Sequence, residues 1–288
     1  MKGIILAGGA GSRLHPITIS ITKQLLPVYD KPMIYYPLCT LMEANIREIL
    51  CICTEKDLLN FTKLLGNGKQ WGIEIKFEIQ NEPKGIAEAF IIGSKFINND
   101  DIALILGDNI FYGIDFGEFL LIDNIQFKGA QIFVYKVPDP QRYGVVELDK
   151  KNNPIKIVEK PKVPKSNLAV TGLYFYDNQI VNIAKSLKPS KRGELEITDV
   201  NKVYLKKKKL YMESFGRGFA WLDTGTPESL LTANIFIANI EQRQGLKIAC
   251  LEEIAYLNKW ISKLKLKKLT NAMSSGPYKD YLINLIKK

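Results

Sequence analysis

Histidine is almost absent from this chain of 288 residues, in which His15 is the one example. A histidine-rich metal site is therefore excluded, and a Ser-His-Asp triad would depend on this single imidazole. It stands beside Pro16, and we interpret it as structural. Cysteine is scarce too, and the four thiols contain no CxxC pair: Cys39, Cys51, Cys53 and Cys250. We expect small buried side chains here, and neither disulfides nor a zinc site.

Long apolar runs are also missing. No stretch approaches the ~20 residues that span a bilayer. The apolar run after Lys2 ends at Ala7, which is too short for a signal peptide. We therefore expect a cytoplasmic protein with no membrane partner.

The net charge of +10 is concentrated at the carboxyl end, where residues 259–288 hold eight lysines and one aspartate. Such a tail could contact nucleic acid or anionic lipid. We favour a solvated helix face, because no aromatic ladder or nucleic-acid motif accompanies the lysines. The same interpretation applies to Lys206–Lys209, so we expect no nucleic-acid partner.

The first half of the chain alternates short β-rich runs with helical segments. The runs lie at 3–7, 47–53, 73–79 and 102–106, with helices between them near 33–44, 55–65 and 86–97. This alternation predicts a parallel sheet covered on both faces. Ligands bind beyond the carboxyl ends of the strands in such sheets.

The second half predicts a different layer. Strand candidates follow one another closely, at 131–137, 143–149, 155–159, 168–176 and 210–215. We expect them to form an antiparallel layer on the parallel core. Thr226 as N-cap and Pro227 as first residue then predict a helix to about Gln244.

These patterns together predict an α/β fold. We expect a Rossmann-like, mixed and mainly parallel central sheet flanked by helices, with an antiparallel layer and C-terminal helices. One continuous domain is expected over 1–240, with halves at about 1–110 and 111–240. Residues 241–288 would form a helical segment.

A glycine-rich segment, residues 8–13, follows the first predicted strand and ends at Arg13. Consecutive backbone amides without β-carbons form an anion-binding concavity, and a guanidinium adds a fork of donors for phosphate. The spacing matches neither a dinucleotide fingerprint nor a P-loop, and a plain turn is the alternative. Lys23, a second cation ten residues on, favours a triphosphate clamp.

Two aspartates are candidates for a metal site. Asp108 follows the strand at 102–106, and Asp223 lies 115 residues further on. Carboxylates beside a phosphate site are typical Mg²⁺ ligands, although a lone strand-end aspartate is often only a cap. If the fold brings the two together, a single-metal phosphoryl or nucleotidyl transfer site follows.

At this point several motifs resemble those of the sugar-1-phosphate nucleotidyltransferases, and most closely the thymidylyltransferases among them. The resemblance runs in order, at matching spacings, from residue 1 to about 258. Its motifs are Leu6–Leu14, Lys23–Pro27, Lys31–Pro37, Leu106–Gly113, Arg142–Glu147, Glu159–Pro161, Ala169–Asp177, Arg192–Asp199 and Trp221–Thr226.

The resemblance implies a reaction and a cofactor. Glucose 1-phosphate and dTTP would give dTDP-glucose and pyrophosphate, by attack of a sugar phosphate oxygen on the α-phosphorus. Asp108 and Asp223 would carry Mg²⁺. Arg13 and Lys23 would hold the β- and γ-phosphates, and Lys160 would align the sugar phosphate. The product would serve dTDP-sugar biosynthesis for cell-surface polysaccharide.

The resemblance also assigns binding residues, with the nucleotide in the first half of the domain and the sugar in the second. The remaining nucleotide contacts would come from Gly8, Gly9, Gly11, Gln24, Gln80 and Gly85, the last two at the pyrimidine edge. The remaining sugar contacts would come from Tyr143, Gly144, Glu159, Val170 and Tyr174. Glu159 and Lys160 could instead be a solvated strand end, and Tyr174 could be plain core.

The sequence departs from the resemblance at two positions. Glu88 stands where the family usually has glutamine, and Lys84 replaces an acidic residue. An enzyme of the same fold that uses UTP, CTP or GTP is therefore the close alternative, since thymine differs from uracil by one methyl group. A catalytically dead nucleotide-binding regulator is a second alternative. The resemblance further implies a homotetramer with feedback inhibition by a dTDP-sugar.

Overall fold

The computed structural model describes residues 1–9, 11–120 and 128–287. Ala10 of the glycine-rich segment lies outside the described residues. The strands are β1 (Lys2–Leu6), β2 (Pro27–Val28), β3 (Lys31–Pro32), β4 (Glu48–Cys53), β5 (Glu74–Ile79), β6 (Ile102–Leu106), β7 (Asn109–Tyr112), β8 (Ala130–Lys136), β9 (Gly144–Leu148), β10 (Pro154–Glu159), β11 (Leu168–Tyr176), β12 (Leu210–Ser214) and β13 (Ala220–Asp223). The helices are α1 (Tyr35–Glu43), α2 (Glu55–Leu65), α3 (Glu88–Ile92), α4 (Ser94–Ile97), α5 (Phe116–Leu120), α6 (Ile180–Ser186), α7 (Ile197–Lys206), α8 (Pro227–Gln244), α9 (Leu251–Leu257), α10 (Lys263–Ala272) and α11 (Pro277–Lys287).

A nine-stranded sheet organises the described part of the chain. Its main path runs β10-β9-β11-β6-β1-β4-β5, and β8 joins through β11. Strands β6, β1, β4 and β5 are parallel to one another, whereas β11 runs antiparallel to β6, β8 and β9. The expected mixed, mainly parallel sheet is confirmed, and the antiparallel layer continues the same sheet.

The direction of β12 differs from the expectation. Strand β12 pairs with β8 in parallel, from Leu210 opposite Ala130 to Ser214 opposite Val134. Helices α6 and α7 lie between β11 and β12 in the chain. A helical crossover lets a strand enter a sheet in either direction, whereas a tight hairpin requires an antiparallel return.

Two short strands were not predicted. Strands β7 and β13 pair antiparallel with each other, away from the large sheet, and place Asp223 opposite Asn109. Each has only four residues. Their pairing joins parts of the chain more than a hundred residues apart, so no local pattern indicates it.

Alternate residues of the central strands pack into two apolar clusters, one on each face of the sheet. Ile5, Ile105, Cys51 and Cys53 lie on one face with α1 and α9. Residues from the neighbouring positions of the same strands, including Ile4 and Leu104, pack on the other face. This is the two-sided burial that the apolar runs predicted. The same-side placement of Cys51 and Cys53 is confirmed.

Helix α8 begins as predicted. The Thr226 hydroxyl accepts a hydrogen bond from the Ser229 backbone N–H at 3.2 Å, and the Ser229 hydroxyl accepts one from the Thr226 N–H at 3.0 Å. Pro227 occupies the first helical position, where its missing N–H costs nothing. This reciprocal cap stabilises a helix by about 1 kcal/mol.

The basic tail forms helices α10 and α11, which pack on α9. The hydroxyls of Tyr278 and Tyr281 donate to Glu252 and Glu253 at 2.6 and 2.7 Å. Leu266 and Leu282 are buried, so these helices turn their apolar side inward. Among the described residues, no helix is both long and apolar enough to cross a bilayer.

Glu43 at the end of α1 makes stability depend on pH. Burial raises the pKa of this carboxyl to about 7, against the opposing hydrogen bond with the Cys39 thiol. The folded state thus binds the proton more tightly than the unfolded state, so the stabilisation is complete below about pH 4.5 and is lost as pH rises through 7.

We expect Glu43→Gln, which stays neutral, to remove this dependence. The difference in unfolding free energy between pH 5 and pH 8 should shrink by about 2 kcal/mol relative to the parent protein. Urea unfolding of both proteins at the two pH values measures this. Identical pH dependence in the two proteins would contradict it.

Candidate active site

The carboxyl ends of three parallel strands of the sheet, β1, β5 and β6, carry the predicted nucleotide residues. The glycine-rich segment follows β1, Gln80 follows β5, and Asp108 lies two residues beyond β6. Because these strands are parallel, their carboxyl ends meet at one edge of the sheet. The topology thus places the amide-rich segment and the first carboxylate side by side.

The β7–β13 pair brings the second carboxylate to the same place. Asp223 ends β13 opposite Asn109, the residue after Asp108. Thr224 then fastens the junction, since its backbone N–H and its hydroxyl both donate to the Asp108 carbonyl, at 3.2 and 2.8 Å. The structure therefore brings together the two aspartates that the sequence suggested as candidates for a metal site.

Asp108 is held in its ionised form. Its carboxylate pairs with the Lys23 ammonium and accepts a hydrogen bond from the Asn109 amide at 3.0 Å. Burial disfavours the charge, but the lysine and these hydrogen bonds outweigh it, so the pKa of Asp108 lies below its usual range. A buried carboxylate that stays charged is suited to binding a cation.

Asp223 shows the opposite shift. Burial and the nearby negative charge of Asp108 raise its pKa, although Arg13, Arg142 and Lys23 pull it back. Arg142 donates to its Oδ2 at 3.1 Å. Because the charge of Asp108 contributes to this shift, the two carboxylates lie within electrostatic reach of each other. The three cations Arg13, Arg142 and Lys23 lie near them.

A cavity of about 440 Å³ opens beside these two aspartates. Arg13 forms part of its wall, and its guanidinium lies against Gly225. Every residue predicted on the sugar side lines this cavity: Tyr143, Gly144, Glu159, Lys160, Val170 and Tyr174. Both carboxylates, one predicted phosphate-binding cation and the whole predicted sugar set thus share one space.

Glu159 presents an ordered carboxylate to this cavity. The Thr198 hydroxyl donates to its Oε2, and Arg192 lies 3.6 Å from its Oε1. The Lys160 ammonium lies 3.9 Å away, and the backbone N–H of Lys160 donates to the Tyr143 carbonyl at 3.0 Å. This strand end faces a cavity, and its side chains are arranged by specific contacts.

Tyr174 fits both of its sequence interpretations. It is only 4% exposed and belongs to the second apolar cluster, yet it also lines the cavity. Burial holds its pKa well above the usual tyrosine value. The phenol therefore stays neutral and can present a hydroxyl to a ligand.

The remaining predicted nucleotide residues do not line this cavity. Gly9 and Gly11 lie beside the Lys23 side chain, and Gly8 lies against Gln80. Gln24 is 1% exposed and its amide oxygen accepts from the Thr22 hydroxyl at 2.9 Å. Gln24 thus lies beneath the site as a buried support.

Gly85 is required by the fold itself. Its φ is +106°, and a β-carbon there would lie 2.4 Å from the Leu195 carbonyl oxygen. The flanking residues Lys84 and Ala87 hydrogen-bond the Leu195 backbone. The segment before α3 is therefore held against Leu195. These hydrogen bonds fix the distance of this segment from Gln80.

Sequence reasoning missed several residues of the site. Arg142 joins Asp223 to Asp139, with a 2.8 Å contact to the latter. Trp221 donates to Asn109 Oδ1 at 2.6 Å, and the Gly172 N–H donates to the same oxygen at 3.1 Å. Arg142, Asn109, Gly172 and Trp221 all stand in motifs that the resemblance had singled out, and that was the available signal.

Comparison with known proteins agrees with this geometry. Residues 2–240 match the nucleotidyl transferase family. A glucose-1-phosphate thymidylyltransferase from Neisseria meningitidis serogroup A is 55% identical over 288 residues, which is 100% of both chains.

Two solved structures share the fold. A Bacillus anthracis protein described as a candidate glucose-1-phosphate thymidylyltransferase, crystallised with sucrose, gives a TM-score of 0.76 at 42% identity, over 82% of this chain and 94% of its own. A UDP-glucose pyrophosphorylase complexed with UDP-glucose gives 0.72 at 26% identity, over 84% and 99%. The resemblance inferred from the motifs is confirmed, and the chain belongs to the nucleotidyl transferase family.

Proposed function

We propose that this protein is a glucose-1-phosphate thymidylyltransferase, which converts dTTP and glucose 1-phosphate into dTDP-glucose and pyrophosphate. The observation that carries the proposal is the meeting of Asp108 and Asp223, across β7 and β13, beside the glycine-rich segment. Full-length identity to proteins of that name supports it. The reaction needs two polyanions held in contact, and this site supplies cations rather than an acid–base pair.

The nucleotide lies over the carboxyl ends of β1 and β5 in this proposal. Backbone amides of Gly8, Gly9 and Gly11 cradle its phosphates, while Arg13 and Lys23 neutralise the β- and γ-phosphates. Their charge stabilises the departing pyrophosphate as it forms. Lys23 is ready for this role, because its ammonium already lies between Gly9 and Asp108.

The sugar phosphate occupies the cavity between β9, β10 and β11. Glu159 accepts hydrogen bonds from the glucose hydroxyls, and Tyr143, Gly144, Val170 and Tyr174 shape the space around the ring. Lys160 is half exposed at the rim, where its charge draws the phosphate toward the α-phosphorus. An oxygen of that phosphate then attacks in line with the leaving pyrophosphate.

The donor set of the site fits Mg²⁺. Among the described residues no cluster of three or more acidic, histidine or cysteine side chains is present, so the protein offers two carboxylates, from Asp108 and Asp223. Mg²⁺ typically takes one or two carboxylates and completes its shell with substrate phosphates and water. When bound, the ion neutralises phosphate charge and offsets the repulsion from Asp108, which adds to burial in raising the pKa of Asp223.

The proposal extends to assembly and location. We infer a homotetramer with feedback inhibition by a dTDP-sugar, in which the helical segment after residue 240 takes part. That segment encloses a second cavity of about 290 Å³ with α1 and β7. The four cysteines are buried and unpaired, which suits a reducing cytoplasm. The product would feed dTDP-sugar synthesis for cell-surface polysaccharide.

Pyrophosphate release tests the function. We expect the purified protein, with Mg²⁺ and glucose 1-phosphate, to turn over dTTP at a kcat/KM above those for UTP, CTP and GTP. The comparison of dTTP with UTP is the most informative, because thymine and uracil differ by one methyl group. Such a difference gives about 10-fold discrimination or somewhat more. Preference for UTP would move the protein to another member of the same fold. No turnover with any triphosphate would refute the enzyme and favour a nucleotide-binding regulator.

A further inference from the structure

Arg142 is a cation of the cavity wall to which the proposed reaction gives no role. It ends a short 3₁₀ turn, Pro140–Arg142, just before β9, and its side chain lines the cavity. The guanidinium pairs with Asp139 at 2.8 Å and donates to Asp223 Oδ2 at 3.1 Å. Its central carbon lies 5.2 Å from the centre of the Tyr143 ring. Two carboxylates and an aromatic ring thus hold this cation in place.

Asp139 supports Arg142 from outside the cavity. The Asp139 carboxylate is not part of the cavity lining, and the Asp139 carbonyl accepts a hydrogen bond from the Arg142 backbone N–H at 3.3 Å. A guanidinium carries five N–H donors in a planar fork, so one edge can face Asp139 while another faces the cavity. The support from Asp139 therefore leaves donors of Arg142 available to a ligand.

Arg142 lies at the border between two parts of the cavity. It contacts Asp223, which belongs to the proposed metal site, and Tyr143, which belongs to the proposed sugar set. A sugar 1-phosphate whose ring lies within the sugar set must direct its phosphate toward the two aspartates, because the nucleotide is attacked there. That phosphate comes to lie beside the guanidinium of Arg142.

The other cations of the lining have different surroundings. Among the described residues that line the cavity, Arg13 and Lys160 also carry positive charge. Arg13 lies against Gly225. The Lys160 side chain is 48% exposed, and its ammonium lies 3.9 Å from Glu159. Lys160 can attract the sugar phosphate from the rim, whereas Arg142 is placed beside the carboxylates where the phosphates meet.

We propose that Arg142 is a further catalytic residue, whose guanidinium binds the phosphate of the sugar 1-phosphate, and that Asp139 is the positioning residue that holds it. The inference rests on the proposed function, because it requires a sugar 1-phosphate in the cavity. A phosphate oxygen of the sugar forms the new bond to the α-phosphorus. The bond from that phosphorus to the pyrophosphate oxygen breaks, and its electron pair leaves with pyrophosphate. Arg142 transfers no proton, and its charge offsets the repulsion between the two phosphates.

Arg142→Met tests the contact with the substrate. The substitution removes the charge and keeps an unbranched side chain. We expect the KM for glucose 1-phosphate to rise about tenfold or more, while the KM for dTTP stays within about twofold. Arg142→Lys keeps the charge without the fork, so it should show a smaller rise with the same selectivity. Pyrophosphate release, with each substrate varied in turn, measures both KM values.

Arg47→Met is the matched control. The Arg47 guanidinium also forms a specific hydrogen bond, to the Gly72 carbonyl at 2.9 Å, and lies 5.4 Å from the centre of the Trp260 ring. It does not line the cavity. We therefore expect both KM values of this variant to match those of the parent protein.

Added guanidinium ion tests whether the cation itself is responsible. The Arg142 side chain is 36% exposed, so in Arg142→Ala its place is accessible from solvent. We expect guanidinium chloride, below the concentrations that unfold the protein, to lower the raised KM for glucose 1-phosphate. Sodium chloride at the same ionic strength should not do so.

Asp139→Asn tests the positioning role. The guanidinium remains but loses its charged partner, so we expect the KM for glucose 1-phosphate to rise about threefold. In the Arg142→Met background the same substitution should have no further effect, because Asp139 acts only through Arg142.

The outcomes are distinct. A selective rise in the KM for glucose 1-phosphate, recovery with guanidinium and no added effect of Asp139→Asn in the double variant support the proposal. Unchanged KM values, equal rises for both substrates, no recovery or additive effects would overturn it. Thermal unfolding identifies a misfolded variant, and Arg142→Lys then decides. Wild-type turnover of dTTP with glucose 1-phosphate tests the proposed function by itself, before any variant is compared.

Discussion

Asp108→Asn is expected to lower kcat about a thousandfold while the protein remains folded. The substitution keeps the shape of the side chain and removes its charge. The carboxylate that Lys23 keeps ionised is lost, and only Asp223 remains to hold a cation. The Thr224 contacts to residue 108 use its carbonyl oxygen, so the junction of β7 and β13 is preserved. Pyrophosphate release under saturating substrates measures the effect.

Asp101→Asn is the matched control for this variant. Asp101 flanks the opposite end of the same strand, β6, and is exposed. It lies outside the cavity lining, so we expect kcat within twofold of the parent protein. Circular dichroism and thermal unfolding establish that both variants fold. Wild-type turnover in Asp108→Asn would remove this residue from the metal site.

The parallel half of the fold was predictable from the sequence because its strands are buried on both faces. Such strands are continuous apolar runs, as within the predicted strands at 47–53 and 102–106. The glycine-rich segment and Asp108 follow such strands directly, so their placement at one sheet edge required no knowledge of long-range contacts.

The pairing that completes the site was not predictable in this way. Strands β7 and β13 are too short to show a period, and their register is fixed only by each other. Arg142 was likewise hidden, because its contact with Asp223 spans 81 residues. The resemblance placed Gln24 among the nucleotide contacts, and only the fold shows that its side chain is buried and accepts a hydrogen bond from the Thr22 hydroxyl. Contacts of this kind depend on tertiary packing rather than on local pattern.

Lys23→Met is expected to lower kcat/KM for dTTP by a hundredfold or more. The substitution removes a phosphate-binding cation and leaves a side chain of similar length. Because Lys23 also opposes the effect of burial on Asp108, its removal raises the pKa of that carboxyl. The ionised form is the active one, so the acid limb of the pH–rate profile should move to higher pH. The KM for glucose 1-phosphate should change little, since Lys23 lies on the nucleotide side.

Lys76→Met is the control for this second variant. Lys76 also pairs with a carboxylate, Glu74 at 3.1 Å, but on the exposed surface of β5, where such a pair contributes little. We expect its rate and pH profile to match the parent protein. Equal increases of KM for both substrates in Lys23→Met, or an unmoved acid limb, would contradict the dual role. The expected result ties phosphate binding to the charge state of Asp108, because one ammonium serves both groups.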